Sequence, residues 1–447
     1  MNNGQFRVLK FHFALALIFS SIAVCAPIAI CTPIAGQDLQ KRIDDKNGAS
    51  AADFWIYNDI NKAREIALKE NKPMFVTFRC VPCANCKAFD AEVAKGNEGI
   101  AKMAREKFIS VRQVEMKGVD LSLFEFDHDL NWAAMFINAD GTVYARYGTQ
   151  SAEGPDAYNS IEGLLTTMNR VLEIHKNYPK NKSILKGKRR SQKPKFALDL
   201  PGLKNAEKLA LVTTRSNCIH CHTIHDAAHF DAKAKGQFKR DMLWKYPLPD
   251  NVGMRIDRIT GNTISSVLND SPAAKSGLKK GDEIKTVNGQ LITSIADIQW
   301  VLHGLSNQAA KVTVETSKGR QHTISLGQGW KEYDFSWRGS IYSVSPILRV
   351  WLPNVEQKRL DALGVDDKHT AFLVKWINNG TKAGKAAIQS GLRYGDVVVE
   401  LDGKPIKKMN PQQFNTFVKL NYKVGQSLPL TVVRKGKRVK IDLKLVE

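Results

Sequence analysis

The chain has 447 residues, a mass of 49.9 kDa and a formal net charge of +22, which is more than one hydrophobic core usually serves, so two to four domains are expected. Its composition is ordinary globular, with 43% hydrophobic and 25% charged residues. The basic excess is spread along the chain apart from one run, so no nucleic-acid partner is expected.

At the N-terminus Arg7 and Lys10 precede the apolar run Phe11 to Gly36, which ends at Gln37 and Asp38. Residues 1–36 therefore read as a secretory signal, long enough to stay as a membrane anchor. Val24 and Ile30 stand before Cys25 and Cys31, where a lipid-modified cysteine wants a small residue. Export to the periplasm or cell envelope puts the other five cysteines where unprotected pairs oxidise and covalent haem is attached. They form two tight groups, Cys80/Cys83/Cys86 and Cys218/Cys221, which look like two local sites rather than a stapling framework.

Residues 50–178 read as an α/β domain: helical spacing from Ala51 to Lys69, a β-rich run Met74 to Phe78, and helical spacing from Ala88 to Phe108. The strand-like FISVRQVEM, a hairpin turning at Asp140-Gly141 and a helix from Ile161 to Ile174 complete it. Cys83-x-x-Cys86 stands where a strand hands over to a helix, whose N-terminal dipole stabilises a thiolate. With KPMFVTF before it and FINADGTVYARYG after it, this region resembles the thioredoxin family, particularly its secreted short-domain relatives. The resemblance implies that Cys83 is the attacking thiol and Cys86 the resolving one. Pro82 stands where that family has tryptophan, and Trp132 where it has its cis-proline. The residues alone leave three uses open: a redox dithiol, a metal or copper site that includes Cys80, and an inert disulfide.

Lys180 to Lys195 carries eight basic residues and no acid, and residues 179–196 are expected as a solvated linker. A short helical segment, 197–248, holds NCIHCHTIHDAAH. Its Cys218-x-x-Cys221-His222 matches the attachment sequence of c-type cytochromes, in which two thiols reach the vinyl groups of one haem c and the adjacent histidine faces the iron. Met242 is the first candidate for a sixth ligand, ahead of Met254, His225 and His229. Zinc on Cys218, Cys221 and His225 with a fourth ligand from elsewhere is the rival, and a bare dithiol the third reading. Cys218 and His229 are about 16 Å apart on one helix and cannot share an ion.

SGLKKGDEIKTVNG, Ser276 to Gly289, recurs as SGLRYGDVVVELDG, Ser390 to Gly403, at a constant offset of 114. With the strands and helices around them, residues 250–328 and 359–447 resemble the PDZ family of exported bacterial proteases. This implies that protein C-termini or extended peptides add to a sheet edge beneath a carboxylate-binding loop. Val252-Gly253-Met254 and Leu363-Gly364-Val365 match that loop. Use as spacers or for intramolecular docking is the alternative. The glycine-rich serine nucleophile motif of those proteases is missing, so no proteolysis is expected. The aromatic connector, 329–358, reads only as packing between modules.

The expectation is a multidomain α/β plus mainly-β protein: a thioredoxin-like domain, a short helical C-x-x-C-H segment and tandem PDZ domains. It is expected to pass thiol or electron equivalents to a redox partner docked by its PDZ domains. A non-enzymatic envelope adaptor with structural cysteines or a metal site is the alternative.

Overall fold

Met74, Val76 and Phe78 alternate with Phe75 and Thr77 along one strand, and all six residues of Met74–Arg79 and of Trp132–Ile137 are buried. Strands covered on both faces belong inside a layered sheet. The structure, a computed structural model, describes residues 54–79, 87–211, 213 and 217–447. It places β1 (Ile56–Tyr57), β2 (Met74–Arg79), β3 (Ile109–Gln113), β4 (Trp132–Ile137) and β5 (Val143–Tyr147) in one sheet, ordered β1-β3-β2-β4-β5. β3 is parallel to β1 and β2, while β4 and β5 close the other side antiparallel.

The helices divide between the two faces. Phe75, Phe136 and Tyr144 pack with α3 (Glu98–Lys107) and α4 (Ile161–Lys176) on one side. Val76, Phe78 and Met135 pack with α1 (Ile60–Glu70) on the other. The helix expected from Ala88 to Phe108 is interrupted: α2 (Lys87–Ala91) passes through a π-turn, and Asn97 turns extended to cap α3, accepting from Ile100 N at 2.9 Å. A capping asparagine between two glycines ends one helix and starts another. The first helix begins at Ile60, where Asp59 caps it, and Ile56–Tyr57 ahead of it is a strand.

The C-x-x-C-H segment belongs to this domain. Ile219, Cys221, Ile224 and Ala227, the last two on α5 (His222–Ala234), share a core with Val76, Phe78 and Met135. Burying Ile219 and Ile224 stabilises this packing by roughly 3–6 kcal/mol before ordering entropy is subtracted.

The two C-terminal modules keep the repeat as geometry. Gly277 and Gly391 take φ of 84° and 92°, and Gly281 and Gly395 take 87° and 85°, values that glycine adopts without strain. Asp282 and Asp396 each close the turn by accepting from a backbone N–H three residues earlier, at 2.9 and 2.8 Å. Helices α6 (Ile295–His303) and α7 (Pro411–Asn421) occupy matching places. Leu348 and Leu352 lie in the core of the second module, and Val350–Trp351 pairs with Trp376–Ile377. The second module therefore takes in residues assigned above to the connector.

The basic run 179–196 is exposed over most of its length, as expected of a solvated linker, but Lys188 to Arg190 tie it down as a strap. Lys188 is fully buried on Asp297 of α6 at 2.6 Å, and Arg189 donates to Ser122 O and Oγ at 2.9 Å. Trp300 of α6 lies between the guanidinium carbons of Arg146 and Arg190, 3.9 and 3.7 Å from its ring centroid. Positive charge that finds a buried carboxylate and an indole face has no need of solvent. Among the described residues no helix is long and apolar enough to cross a membrane. Residues 1–36, expected as signal or anchor, lie outside the described residues.

Candidate functional site

β2 and β3 are parallel neighbours, so the chain leaves the sheet at the same end after Arg79 and after Gln113. Cys80, Cys83 and Cys86, which follow Arg79 in sequence, lie outside the described residues. Their flanks are tied by charge. Asp90, buried on α2, accepts from Arg112 at 2.8 Å through each oxygen and pairs with Arg79 at 2.7 Å.

The second cysteine pair is held at that end of the sheet. Ile219 N donates to Glu115 Oε1 at 3.0 Å, Met116 N donates to Ile219 O at 3.3 Å, and Cys218 Sγ lies 3.8 Å from Val114 O. Residues 217–219 thus run along the extension of β3. Cys221 is the cap residue of α5 and is buried, whereas Cys218 is half-buried. A thiol at a helix N-terminus is in the field that favours its thiolate.

α5 presents three histidines to three different partners. His222 Nδ1 is 3.2 Å from Asp226, and its ring backs onto Gly339, where a Cβ would meet Cγ at 3.2 Å. His225 Nδ1 is 2.8 Å from Asp129 Oδ2; an ionised carboxylate only accepts, so this nitrogen carries the proton. His229 Nδ1 is 3.0 Å from Ser343 Oγ. Arg338 of the connector bonds Asp127 at 2.6 Å through both oxygens and Asp129 at 3.0 Å, and Ser340 N and Oγ bond Asp129 at 2.8 and 2.7 Å. Burial pushes the Asp129 carboxyl up, but His225, Arg338 and Ser340 together hold it well below the usual range. Burial pushes His225 well below its ordinary value and His128 down to about 3.

Asp127, Asp129 and His225 bring ligand atoms within 4.8 Å of one another. The Arg338 guanidinium already occupies both carboxylates, so a dication there would have to displace a bidentate pair. Met242, expected as the partner of His222 across an iron, lies in the turn Arg240–Leu243 with its backbone against His229, two turns from His222 along α5.

The first module's groove is closed by the chain itself. Val252, Gly253 and Met254, expected to bind peptide, are buried. Tyr158 sits in a core with Val252, with Met254 and Ile256 of β6 (Met254–Ile256), and with Ile295 and Ile298 of α6. Arg255 lies over its ring at 4.3 Å, and Thr149 bonds Gln299 of α6 at 2.8 Å. Segment 149–158 thus touches both walls between which a peptide would lie.

The second module is open. A cavity of about 650 Å³ is lined by Leu348, Arg349, Trp351, Leu352, Trp376 and Phe414. Trp351 and Trp376, opposite one another on paired strands, are each 53% exposed. Lys419 of α7 reaches the carbonyls of Val344 and Pro346; burial, then Lys233 and Arg349, push its ammonium down to about 7. Leu363-Gly364-Val365 is not part of this cavity. Leu363 and Val365 pack on a separate cluster with Val355, Ala371 and Val397, because the inserted helix Gln357–Ala362 carries them away from the groove strand. The groove residues are Leu348 to Asn354, about forty positions ahead of the SGL turn.

A family profile described as thioredoxin-like matches residues 55–139, and two profiles described as PDZ domain match 263–316 and 373–445. The chain thus carries a thioredoxin-like domain and two PDZ domains. It is 28% identical over 193 residues to a probable periplasmic serine endoprotease DegP-like of Marinomonas sp. (strain MWYL1), covering 43% of this chain and 39% of that protein. To the periplasmic serine endoprotease DegP of Escherichia coli (strain K12) it is 27% identical over 157 residues, 35% and 29% of the two chains. The chain spans about two fifths or less of these curated relatives. The HtrA3 PDZ domain bound to a phage-derived ligand is similar at 13% identity over 23% of this chain and 86% of that one, with a TM-score of 0.18. The HtrA-type protease AlgW with tripeptide gives 16%, 29%, 40% and 0.19.

Proposed function

We propose that this is an exported, periplasmic thiol–disulfide exchange protein that docks polypeptides on its second PDZ domain. The observation that carries the reading is the seating of Cys218 and Cys221 at the α5 N-terminus, against the same end of the thioredoxin-like sheet from which the Cys83-x-x-Cys86 segment departs. Two guanidiniums on Asp90 beside the departure point favour a thiolate there. Periplasmic placement is supported by the names of the relatives, and peptide docking by the open groove of the second PDZ domain.

Haem c at Cys218, Cys221 and His222 is the rival that the spacing suggests. What speaks against it is that Cys221 lies in the sheet core and that the His222 ring packs on Gly339. The test is the optical spectrum and insulin-reduction activity of protein exported by a host with working haem attachment. A colourless protein that reduces insulin, with the activity falling at least tenfold in Cys83→Ser, is expected. A Soret band, or activity unchanged by that substitution, overturns the reading.

A further inference from the structure

We infer that the polypeptide held in the second PDZ groove is itself the substrate of the Cys218/Cys221 dithiol, a proposal that rests on the thiol-exchange reading above. The link is the connector. Gly339 packs on the His222 ring, next to Cys221. Ser340 is fixed by Asp129. Tyr342, three residues beyond Gly339 in the same 3₁₀ turn, lines the groove. At a rise of about 2 Å per residue those three steps cover about 6 Å. The groove wall therefore starts on the order of 10 Å from the His222 ring, which adjoins Cys221 in sequence, and Ser343 bonding His229 and Lys233 locks the spacing.

The groove selects an extended chain with apolar side chains and a free carboxylate. Val350 and Trp351 are paired on one side only by Trp376–Ile377 and face α7 across the cavity on the other, so a peptide can add as a strand. Trp351, Trp376 and Phe414 offer apolar contact. Arg349 lines the cavity, so a cation faces the bound chain and draws its carboxylate. At about 3.3 Å per extended residue, 10–20 Å is spanned by roughly three to six residues. The substrate is thus a polypeptide with a disulfide-bonded cysteine about that far from its anchored end. Cys218 thiolate attacks this disulfide, forming a mixed disulfide and releasing the substrate's other sulfur as thiolate. Cys221 thiolate then displaces the first sulfur and leaves Cys218–Cys221 oxidised, so that two electrons pass to the substrate, whose thiolates take protons from water.

The test uses the full chain as Cys221→Ser, which stops at the mixed disulfide. Its probe is a synthetic peptide with an apolar C-terminal residue and a cysteine, activated as a thionitrobenzoate mixed disulfide, three to six positions upstream. Anchoring should give an effective concentration in the millimolar range. Trapping of the peptide on Cys218, located by peptide mapping, should be about 10- to 100-fold faster than for the C-terminally amidated, residue-scrambled control. The advantage should be lost in Trp351→Glu. A peptide that binds the groove yet reacts no faster than the control overturns the delivery proposal and leaves the dithiol standing. Failure of both peptides to react at Cys218 overturns Cys218 as the attacking thiol, while Cys83-dependent insulin reduction decides the thiol-exchange reading separately.

Discussion

Arg338 sits where three segments meet, because one guanidinium answers two carboxylates that the loop after β3 buries together. Truncation would leave Asp127 and Asp129 facing each other out of water. Arg338→Leu should therefore cost about 3–5 kcal/mol in urea unfolding, far more than a surface arginine, and a loss under 1 kcal/mol would contradict this network. The neighbouring histidines set a pH dependence of known sign. His225 and His128 are held neutral in the fold, the latter down to about 3, and His229 at about 4, whereas in the unfolded chain they charge near 6.5. The unfolded state thus binds more protons below that value, so stability is full above about pH 6.5 and falls toward pH 5 by at most about 1.4 kcal/mol per pH unit for each histidine. Asp127, whose carboxyl burial raises, titrates in the opposite direction. Midpoint urea concentrations at pH 7.5, 6 and 5 check the trend, and a curve that is flat or rises toward acid rejects it. The cysteine and histidine spacings that form α5 were legible because they lie within thirteen residues. Arg338 was not, since its partners are more than 200 residues away and nothing in GWKEYDFSWRG marks one arginine as buried.

Helices and turns divide the same way. The SGL-to-Gly repeat was readable because its left-handed glycines and closing aspartate are local requirements of one turn. In the strap 179–196 the exposed majority was legible and the anchoring was not, because charge composition describes what a segment can dissolve in, while Lys188 and Arg190 are placed by Asp297 and Trp300, over 100 residues on. The second peptide loop was missed for a related reason: an inserted helix, Gln357–Ala362, breaks the spacing shared with the first copy. Tyr158 shows what the captured element is worth. It is almost fully buried in a core otherwise made by the first PDZ domain, so Tyr158→Ala should destabilise by about 3–5 kcal/mol. If segment 149–158 clamps β6 to α6, hydrogen exchange in 252–256 and 295–303 should rise in that variant while residues 397–434 are unaffected. Equal acceleration in both PDZ domains would contradict a local clamp.

At the scale of the whole molecule, two PDZ domains of like fold have been put to unlike uses. In the first, α6 is buried at seven of its nine residues and is bonded to the strap, to β5 and to Tyr246. In the second, α7 buries only four of eleven residues and borders the cavity at Pro411, Gln412, Phe414 and Asn415. The first groove is filled by segment 149–158, with Tyr158 in the core and Thr149 bonded to Gln299, and a peptide would have to displace that segment to enter. Such a competitor has to expose Tyr158 at a cost of about 3–5 kcal/mol, more than an ordinary peptide contact returns. Binding should therefore be monovalent. Calorimetric titration of the full chain with a C-terminal apolar peptide is expected to give one site per chain, with Arg349→Glu weakening it by at least tenfold through loss of the cation facing the carboxylate. Two sites of similar affinity in the native chain, or one site indifferent to Arg349→Glu, would mean that the first groove opens in solution and that the closed contact of Tyr158 is not what fixes the valency.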